Sequence, residues 1–184
     1  MMKWAYIFDF DGVLANSMEA HYECYRRAME EVNVPLPRDE FYALAGMPGR
    51  EQIVYFAEKV GLTVDAKEVY ARKRAIWDEE KPKSEPIECN IELFKLLQQA
   101  GHPVAVASGS SRPSILPAME QLGIAVDVLV TSADYAVGKP DPELFLTAAE
   151  RLGVPPDHCI VVEDSEIGIE AAHAAGMKGL LFTE

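Results

Sequence analysis

The stretch that most constrains this chain is residues 4–14, an apolar run that ends in two carboxylates and a glycine. Residues 4–8 contain no turn former and predict a strand that is buried on both faces. Asp9 and Asp11 are two positions apart, so in an extended segment both side chains point to the same side. Two carboxylates there repel each other and resist desolvation unless a cation or a shared proton intervenes. We therefore expect Mg²⁺ between them, and the alternative is that Asp9 and Asp11 only begin a solvated turn.

Length and charge narrow the range of partners. The 184 residues suffice for one core, or for a core with a small insertion. A net charge of −13 argues against nucleic acid or an anionic membrane as a partner. The three cysteines are far apart and form no metal-type or redox pair, which favours reduced thiols. With no signal-peptide pattern and no apolar run near ~20 residues, we expect a cytoplasmic protein, a monomer or a weak dimer.

The hydrophobic spacing divides the chain into two regions. Between about residues 15 and 84 it predicts helices, at about 16–33, 38–45, 50–60 and 65–80, and no strand. From residue 87 onward helices alternate with short apolar strands at about 103–107, 126–130, 159–162 and 179–182. Such alternation predicts a parallel sheet in a three-layer, Rossmann-like α/β core. We expect residues 1–14 and 85–184 to form this core and residues 15–84 to form an inserted all-helical cap.

Polar residues with related chemistry follow the predicted strands. In open parallel sheets, ligands bind beyond the carboxyl ends of the strands. The residues expected there are Asp9, Asp11, Ser108, Gly109, Lys139, Glu163 and Asp164. This set suits a divalent cation plus a phosphoryl group. One Asp can attack phosphorus while the other exchanges protons with the leaving oxygen and with water. Ser108, Lys139 and backbone N–H groups near Gly109 would bind the phosphoryl oxygens.

The chain resembles the haloacid dehalogenase superfamily in four motifs that occur in the family's order, namely Asp9-Phe10-Asp11-Gly12-Val13, Ser108, Gly138-Lys139-Pro140-Asp141-Pro142 and Glu163-Asp164-Ser165. More closely, it is similar to the β-phosphoglucomutase-like phosphatases with a helical cap. The resemblance implies Asp9 as nucleophile, Asp11 as general acid and base, and Ser108 with Lys139 as a phosphate clamp. It also implies Mg²⁺ held by Asp9, the backbone carbonyl of Asp11 and Asp164, with Glu163 nearby. A dehalogenase would be expected to lack the second Asp, so Asp11 favours phosphate chemistry.

Three further residues are candidate substrate contacts. Residues 46–50 resemble the substrate-specificity loop of this subgroup, so Arg50 would bind a second anionic group, unless it is an ordinary helix-start arginine. His21 falls where sugar-phosphate members carry a cap histidine, although a histidine on an aromatic helix face is often a packing residue. Ser110 either contacts substrate or helps to cap the next helix. We interpret Lys73 as a solvated helix charge.

These observations support one leading hypothesis and two alternatives. The leading one is a Mg²⁺-dependent phosphatase for a small phosphorylated metabolite, for example a sugar phosphate. A phosphomutase would use the same core, and a phospho-accepting receiver domain also places acids, a hydroxyl and a lysine on a parallel sheet. The chain ends soon after its fifth predicted strand, whereas family members usually continue with another strand and helix. An uncovered sheet edge there could affect stability or association.

Overall fold

The computed structural model describes residues 3–44 and 47–182. The chain forms two compact units, one with the bounds Met1–Asn16 and Ser84–Glu184 and the other with the bounds Ser17–Lys83. The sequence placed the first division two residues earlier and the second one residue later, because it did not foresee that Ala15 and Asn16 pair with Pro86 and Glu85. Whether the second unit acts as a cap stays a prediction.

The first unit is built on a five-stranded parallel sheet with the order β5-β4-β1-β6-β7. Its strands are β1 Ala5–Phe8, β4 Val104–Ala107, β5 Val128–Val130, β6 Cys159–Glu163 and β7 Lys178–Leu181. β1 is the central strand and pairs with β4 on one side and β6 on the other. The carboxyl ends of these three strands therefore lie side by side, as the sequence predicted.

Helices cover both faces of this sheet. They are α5 Glu88–Gln99, α6 Arg112–Gln121, α7 Glu143–Leu152 and α8 Glu166–Ala174. Successive residues of β1 point to opposite faces, so Ile7 packs in a cluster with α7 and α8 whereas Phe8 packs in one with α5 and α6. The predicted three-layer α/β fold is confirmed.

The sheet unit also contains a pair of two-residue strands. β2 Ala15–Asn16 and β3 Glu85–Pro86 pair antiparallel. The sequence predicted no strand in residues 15–84, and this prediction was wrong at Ala15 and Asn16. Segments this short have no periodicity to detect, and Pro86 itself suggests a break.

The second unit is helical, with α1 Met18–Glu30, α2 Arg38–Ala43, α3 Gly49–Lys59 and α4 Ala66–Glu80. Asp65 accepts hydrogen bonds from the N–H groups of Lys67 and Glu68 and so caps α4. The apolar sides of these helices form one core that includes Tyr25, Ile53 and Trp77. The predicted end of the second helix at Ala45 and the following Gly46 lie outside the described residues.

No helix in the described ranges is long and apolar enough to cross a membrane. Cys24, Cys89 and Cys159 are all free thiols, and the first and last of them are buried.

Candidate active site

The site begins where β1 and β4 end. Asp9 directly follows β1, and its N–H donates to the carbonyl of Val162 at 3.0 Å. Ser108 directly follows β4, and its N–H donates to the carbonyl of Val130 at 3.0 Å. Each polar residue thus continues the pairing of its strand by one hydrogen bond. The sheet thereby fixes both backbones before their side chains take part in any chemistry.

Gly12 allows the loop after β1 to lie against Asp164. Its φ is +82°, a left-handed conformation that favours glycine, and its N–H donates to the carbonyl of Ala15 at 2.8 Å. A Cβ added at Gly12 would lie 2.0 Å from Oδ2 of Asp164. The glycine is therefore required twice, by the turn and by the close approach of a carboxylate.

Lys139 joins two of the carboxylates. Its ammonium lies 3.1 Å from Oδ1 of Asp9 and also pairs with Oε1 of Glu163. All three side chains are buried. Burial alone would lower the pKa of Lys139, but the carboxylates of Asp9 and Glu163 raise it above its ordinary value. Lys139 therefore carries a positive charge within the site.

Glu163 is fixed by hydrogen bonds on its other oxygen. Its Oε2 accepts from the N–H groups of Asp164 and Ser165, both at 2.9 Å, and from the Ser165 hydroxyl at 2.8 Å. A Cβ at Gly168 would lie 2.0 Å from the carboxyl carbon of Glu163. Burial raises the pKa of Glu163, but the Lys139 ammonium and the donors from Ser165 lower it below its usual value overall. Glu163 is thus an anion that holds both Lys139 and the loop of Asp164 in place.

Three carboxylates in this unit are close enough to hold one metal ion. Asp9, Glu163 and Asp164 each offer an oxygen atom, and these atoms lie within 4.8 Å of one another. Oδ1 of Asp9 is buried, and its contact with a cation among the described residues is the ion pair with Lys139. Three carboxylates facing one ammonium leave an excess of negative charge.

The pKa shifts agree with that excess. Burial, together with Glu163, Asp11 and Asp164, raises the pKa of Asp9 well above its usual range, against the opposing effect of Lys139. Burial and Glu163 raise the pKa of Asp164 to about 7. A hard divalent cation would offset this repulsion, and all the donors are oxygens, so the residues present fit Mg²⁺.

Asp11 turns its carboxylate towards the residues that follow β4. Its Oδ2 accepts hydrogen bonds from the hydroxyls of Ser110 at 2.7 Å and Ser108 at 3.2 Å. The N–H of Ser110 in turn donates to Oγ of Ser108 at 2.9 Å. The carboxylate of Asp11 is not a member of the three-acid cluster, so the two aspartates after β1 have different surroundings. Gly109 is exposed, and a Cβ there would lie at ordinary contact distance from Tyr135.

Both candidate substrate residues of the helical unit, His21 and Arg50, lie against aromatic rings of that unit. Nδ1 of His21 lies 2.8 Å from Nζ of Lys73, and the imidazole stacks on Trp77 with 4.2 Å between ring centroids. The Arg50 guanidinium lies 5.8 Å from the centroid of the Tyr70 ring. These contacts lie within the helical unit, so the roles of His21 and Arg50 in substrate binding stay predictions.

The interpretation of Lys73 as a solvated charge was wrong. Its side chain is buried, and its ammonium lies 4.9 Å and 5.0 Å from the ring centroids of Tyr25 and Trp77. A sequence signal was present, because Lys73 falls in the apolar stripe of α4 at helical spacing from Val69, Ile76 and Trp77. The stem of a lysine packs on apolar groups, and aromatic faces attract its ammonium.

Sequence reasoning also missed how the acids are braced. Ser165 both donates to Glu163 and accepts from the N–H of Gly168 at 3.1 Å, as the N-cap of α8. Serine is a preferred N-cap residue, so the sequence does contain a signal for this second role. Nothing in the sequence indicates that the carboxylate of Glu163 fills the space that a side chain at position 168 would need.

Comparison with known proteins supports this description. The family model described as haloacid dehalogenase-like hydrolase matches residues 6–182. A phosphorylated carbohydrates phosphatase from Thermotoga maritima is 31% identical over 180 residues, which cover 95% of this chain and 82% of the relative. A β-phosphoglucomutase from Bacillus subtilis is 32% identical over 181 residues, covering 94% and 80%. The crystal structure of a hydrolase from Pseudomonas syringae has a TM-score of 0.85 at 24% identity, covering 96% of this chain and 83% of that one, and shows the shared fold.

Fold and site together define an α/β enzyme with a buried acidic cluster at the carboxyl edge of its sheet. The chain belongs to the haloacid dehalogenase-like hydrolases. The resemblance drawn from the four motifs is thereby confirmed, and with it the class of hydrolytic enzyme.

Proposed function

We propose that this protein is a Mg²⁺-dependent phosphatase that acts on a small phosphorylated metabolite through a phosphoryl intermediate on Asp9. The observation that carries the proposal is the buried carboxylate of Asp9, which is paired with Lys139 and clustered with Glu163 and Asp164. Relatives named as a phosphorylated carbohydrates phosphatase and a β-phosphoglucomutase support a sugar phosphate as the substrate.

In the first step, a carboxylate oxygen of Asp9 attacks phosphorus and the bond from phosphorus to the ester oxygen breaks. Lys139 and Ser108 bind the phosphoryl oxygens, whose negative charge Lys139 partly neutralises. Asp11 gives its proton to the departing oxygen, so that the product leaves as an alcohol. The hydroxyl of Ser110, which donates to Oδ2 of Asp11, holds the carboxyl group of Asp11 for this transfer.

In the second step, Asp11 accepts a proton from a water molecule, whose oxygen attacks the phosphorus of the intermediate. The bond between phosphorus and Asp9 breaks, which releases inorganic phosphate and restores both aspartates. Splitting the hydrolysis in this way avoids a direct reaction that is among the slowest known.

Asp9, Asp164 and the backbone carbonyl of Asp11 would hold the cation, while Glu163 lies beside it and braces the loop. When bound, the cation supplies positive charge against the phosphoryl oxygens and lowers the repulsion between them and Asp9. In the proposed enzyme, Arg50 and His21 contact the rest of the substrate. The net charge of −13 agrees with a small-molecule substrate rather than nucleic acid.

A phosphomutase is the second candidate, because the B. subtilis relative carries that name. Both activities need the same acids, lysine and serine. A mutase returns the phosphoryl group from Asp9 to a second hydroxyl of the sugar, whereas a phosphatase passes it to water. Membership of a family of hydrolases argues against the receiver-like alternative.

The test is a panel of phosphorylated metabolites assayed for phosphate release with and without Mg²⁺. We expect release from one or more sugar monophosphates only when Mg²⁺ is present. Conversion of β-glucose 1-phosphate without phosphate release would instead establish the mutase. Absence of both reactions across the panel, from a folded protein with Mg²⁺, would overturn the proposal.

A further inference from the structure

The hydroxyl of Ser110 makes the shorter of two hydrogen bonds to one carboxylate oxygen of Asp11. We infer that Ser110 is a positioning residue that holds Asp11 for proton transfer, rather than a contact for the non-reacting part of the substrate. The inference rests on the proposed function, because it assigns a task to Ser110 within that reaction. It differs from the interpretation of the sequence, which offered Ser110 as a substrate contact or a helix cap.

The distances rank the two donors. Oγ of Ser110 lies 2.7 Å from Oδ2 of Asp11, which is typical of a hydroxyl bound to a carboxylate. Oγ of Ser108 lies 3.2 Å from the same oxygen, beyond the usual range for hydroxyl donors. Ser110 therefore makes the stronger bond to Asp11.

Ser108 has a competing task in the proposed reaction. A serine hydroxyl has one proton, so it cannot donate to Asp11 and to a phosphoryl oxygen at the same time. When Ser108 turns its proton to the phosphoryl group, the hydroxyl of Ser110 stays on Asp11. The N–H of Ser110 also donates to Oγ of Ser108 at 2.9 Å, which leaves the Ser108 proton free to change its acceptor.

Ser110 does not serve as the helix cap. α6 begins at Arg112 with Ser111 in the N-cap position, and the hydroxyl of Ser111 pairs with that of Ser114 at 2.9 Å. The hydroxyl of Ser110 instead points back to the loop after β1. Its contact joins the ends of two neighbouring strands at the residue that exchanges the proton.

The two roles for Ser110 predict different dependences on the leaving group. Proton donation by Asp11 matters for a poor leaving group such as phenol and little for dinitrophenol, whose anion leaves without help. A residue that positions Asp11 therefore affects phenyl phosphate selectively. A residue that binds the phosphoryl group, or supports the fold, affects both esters alike.

The experiment measures kcat/KM for phenyl phosphate and dinitrophenyl phosphate with Mg²⁺, using the full chain. We expect Ser110→Ala and Ser110→Gly to lower the value for phenyl phosphate by about 10-fold or more, since they remove a hydrogen bond to the carboxylate that forms as Asp11 gives up its proton. The value for dinitrophenyl phosphate should fall by less than about 3-fold, because that reaction needs little acid catalysis. Ser110→Thr keeps the hydroxyl and should restore the wild-type ratio.

Ser114→Ala is the matched control, because it removes a nearby hydroxyl that bonds to Ser111 and should leave both esters unchanged. If Ser110→Ala lowers kcat/KM equally for the two esters, or for neither, the inferred role of Ser110 is wrong, whereas the proposed phosphatase activity is unaffected. Failure of the wild-type protein to hydrolyse either ester with Mg²⁺, or full activity in Asp9→Asn, would overturn the proposed function and this inference with it.

Discussion

The ammonium of Lys139 lies 3.1 Å from Oδ1 of Asp9, and the same ammonium pairs with Glu163. One buried cation thus serves two buried carboxylates, with Asp164 as a third acid nearby. The charge of the site is not balanced by its own residues. In the proposed enzyme, a metal ion bound by the acids offsets this negative charge, and Lys139 binds the phosphoryl group.

Replacing Lys139 with methionine should cost both activity and stability. The buried carboxylates of Asp9 and Glu163 would lose their positive partner, which typically costs about 3–5 kcal/mol of unfolding free energy. Turnover should fall by about 100-fold or more, because a donor to the phosphoryl oxygens is lost. Urea unfolding and phosphatase assays measure the two effects. Lys95→Met, at an exposed position of α5, is the control, and an equal effect there would contradict the prediction.

Replacing Gly12 with alanine should disrupt the position of Asp164. The added Cβ would lie 2.0 Å from Oδ2 of Asp164, besides adopting an unfavourable φ of +82°. Gly123 has a similar φ of +64°, but nothing lies within 4 Å of its Cβ position. Both substitutions should lose about 1–2 kcal/mol of stability from backbone strain, but only Gly12→Ala should also raise the Mg²⁺ concentration needed for activity. Equal Mg²⁺ requirements in the two variants would argue against this account.

The sequence was sufficient to predict the layers of the sheet unit and the acids at its edge. Runs such as Val104–Ala107 are too apolar to lie on a surface, and the polar residues after them mark the carboxyl ends of the strands. Sequence could not show the pairing of Ala15 with Pro86 or the packing of Glu163 against Gly168. The first contact joins residues far apart in the chain, and the second depends on the absence of a side chain at Gly168. Neither leaves a periodic signal in the sequence.

Roles were harder to predict than positions. Ser110 was recognised as a candidate, yet its bond to Asp11 depends on how two loops meet, which the spacing of residues does not reveal. Lys73 was misread because charge was given more weight than its place in the apolar stripe of α4. In both cases the missing information was the direction in which a side chain points.

Lowering the pH should weaken the stabilising interactions of the Asp134 carboxylate with Arg151 and Thr131. Partial burial raises its pKa, but bonds from Arg151 at 2.7 Å and from the backbone and hydroxyl of Thr131 at 2.8 Å lower it to about 2. Because its folded pKa is depressed, Asp134 stabilises the fold above its unfolded pKa of about 3.9, and that stability is lost as the pH falls towards about 2.

Asp134→Asn should therefore lower the unfolding free energy by about 1 kcal/mol at neutral pH, allowing for solvent screening, and by less as the pH falls below about 4. Urea unfolding across this pH range measures the difference. Asp127→Asn, at an exposed carboxylate, should change stability little at any pH. If the loss of unfolding free energy in Asp134→Asn instead grows as the pH falls, the folded pKa of Asp134 is not lowered and the prediction is wrong.

Thiol reactivity should separate the three cysteines. Burial is the main cause that raises the pKa of Cys24, and burial raises that of Cys159 to about 11, whereas Cys89 is exposed. Ellman's reagent should therefore label about one thiol per native chain rapidly, and the other two only after denaturation. Cys89→Ser should abolish the rapid phase, and a rapid phase that persists would show that a buried thiol is accessible.

The proposal that the phosphoryl group passes through Asp9 is tested most directly by trapping the intermediate. The protein is mixed with dinitrophenyl phosphate and Mg²⁺, quenched in acid, and digested for mass spectrometry of the peptide that contains Asp9 and Asp11. We predict one added phosphoryl group on Asp9 in the wild-type protein, and neither adduct nor turnover in folded Asp9→Asn. An adduct on another residue, or substantial turnover by Asp9→Asn, would contradict the account.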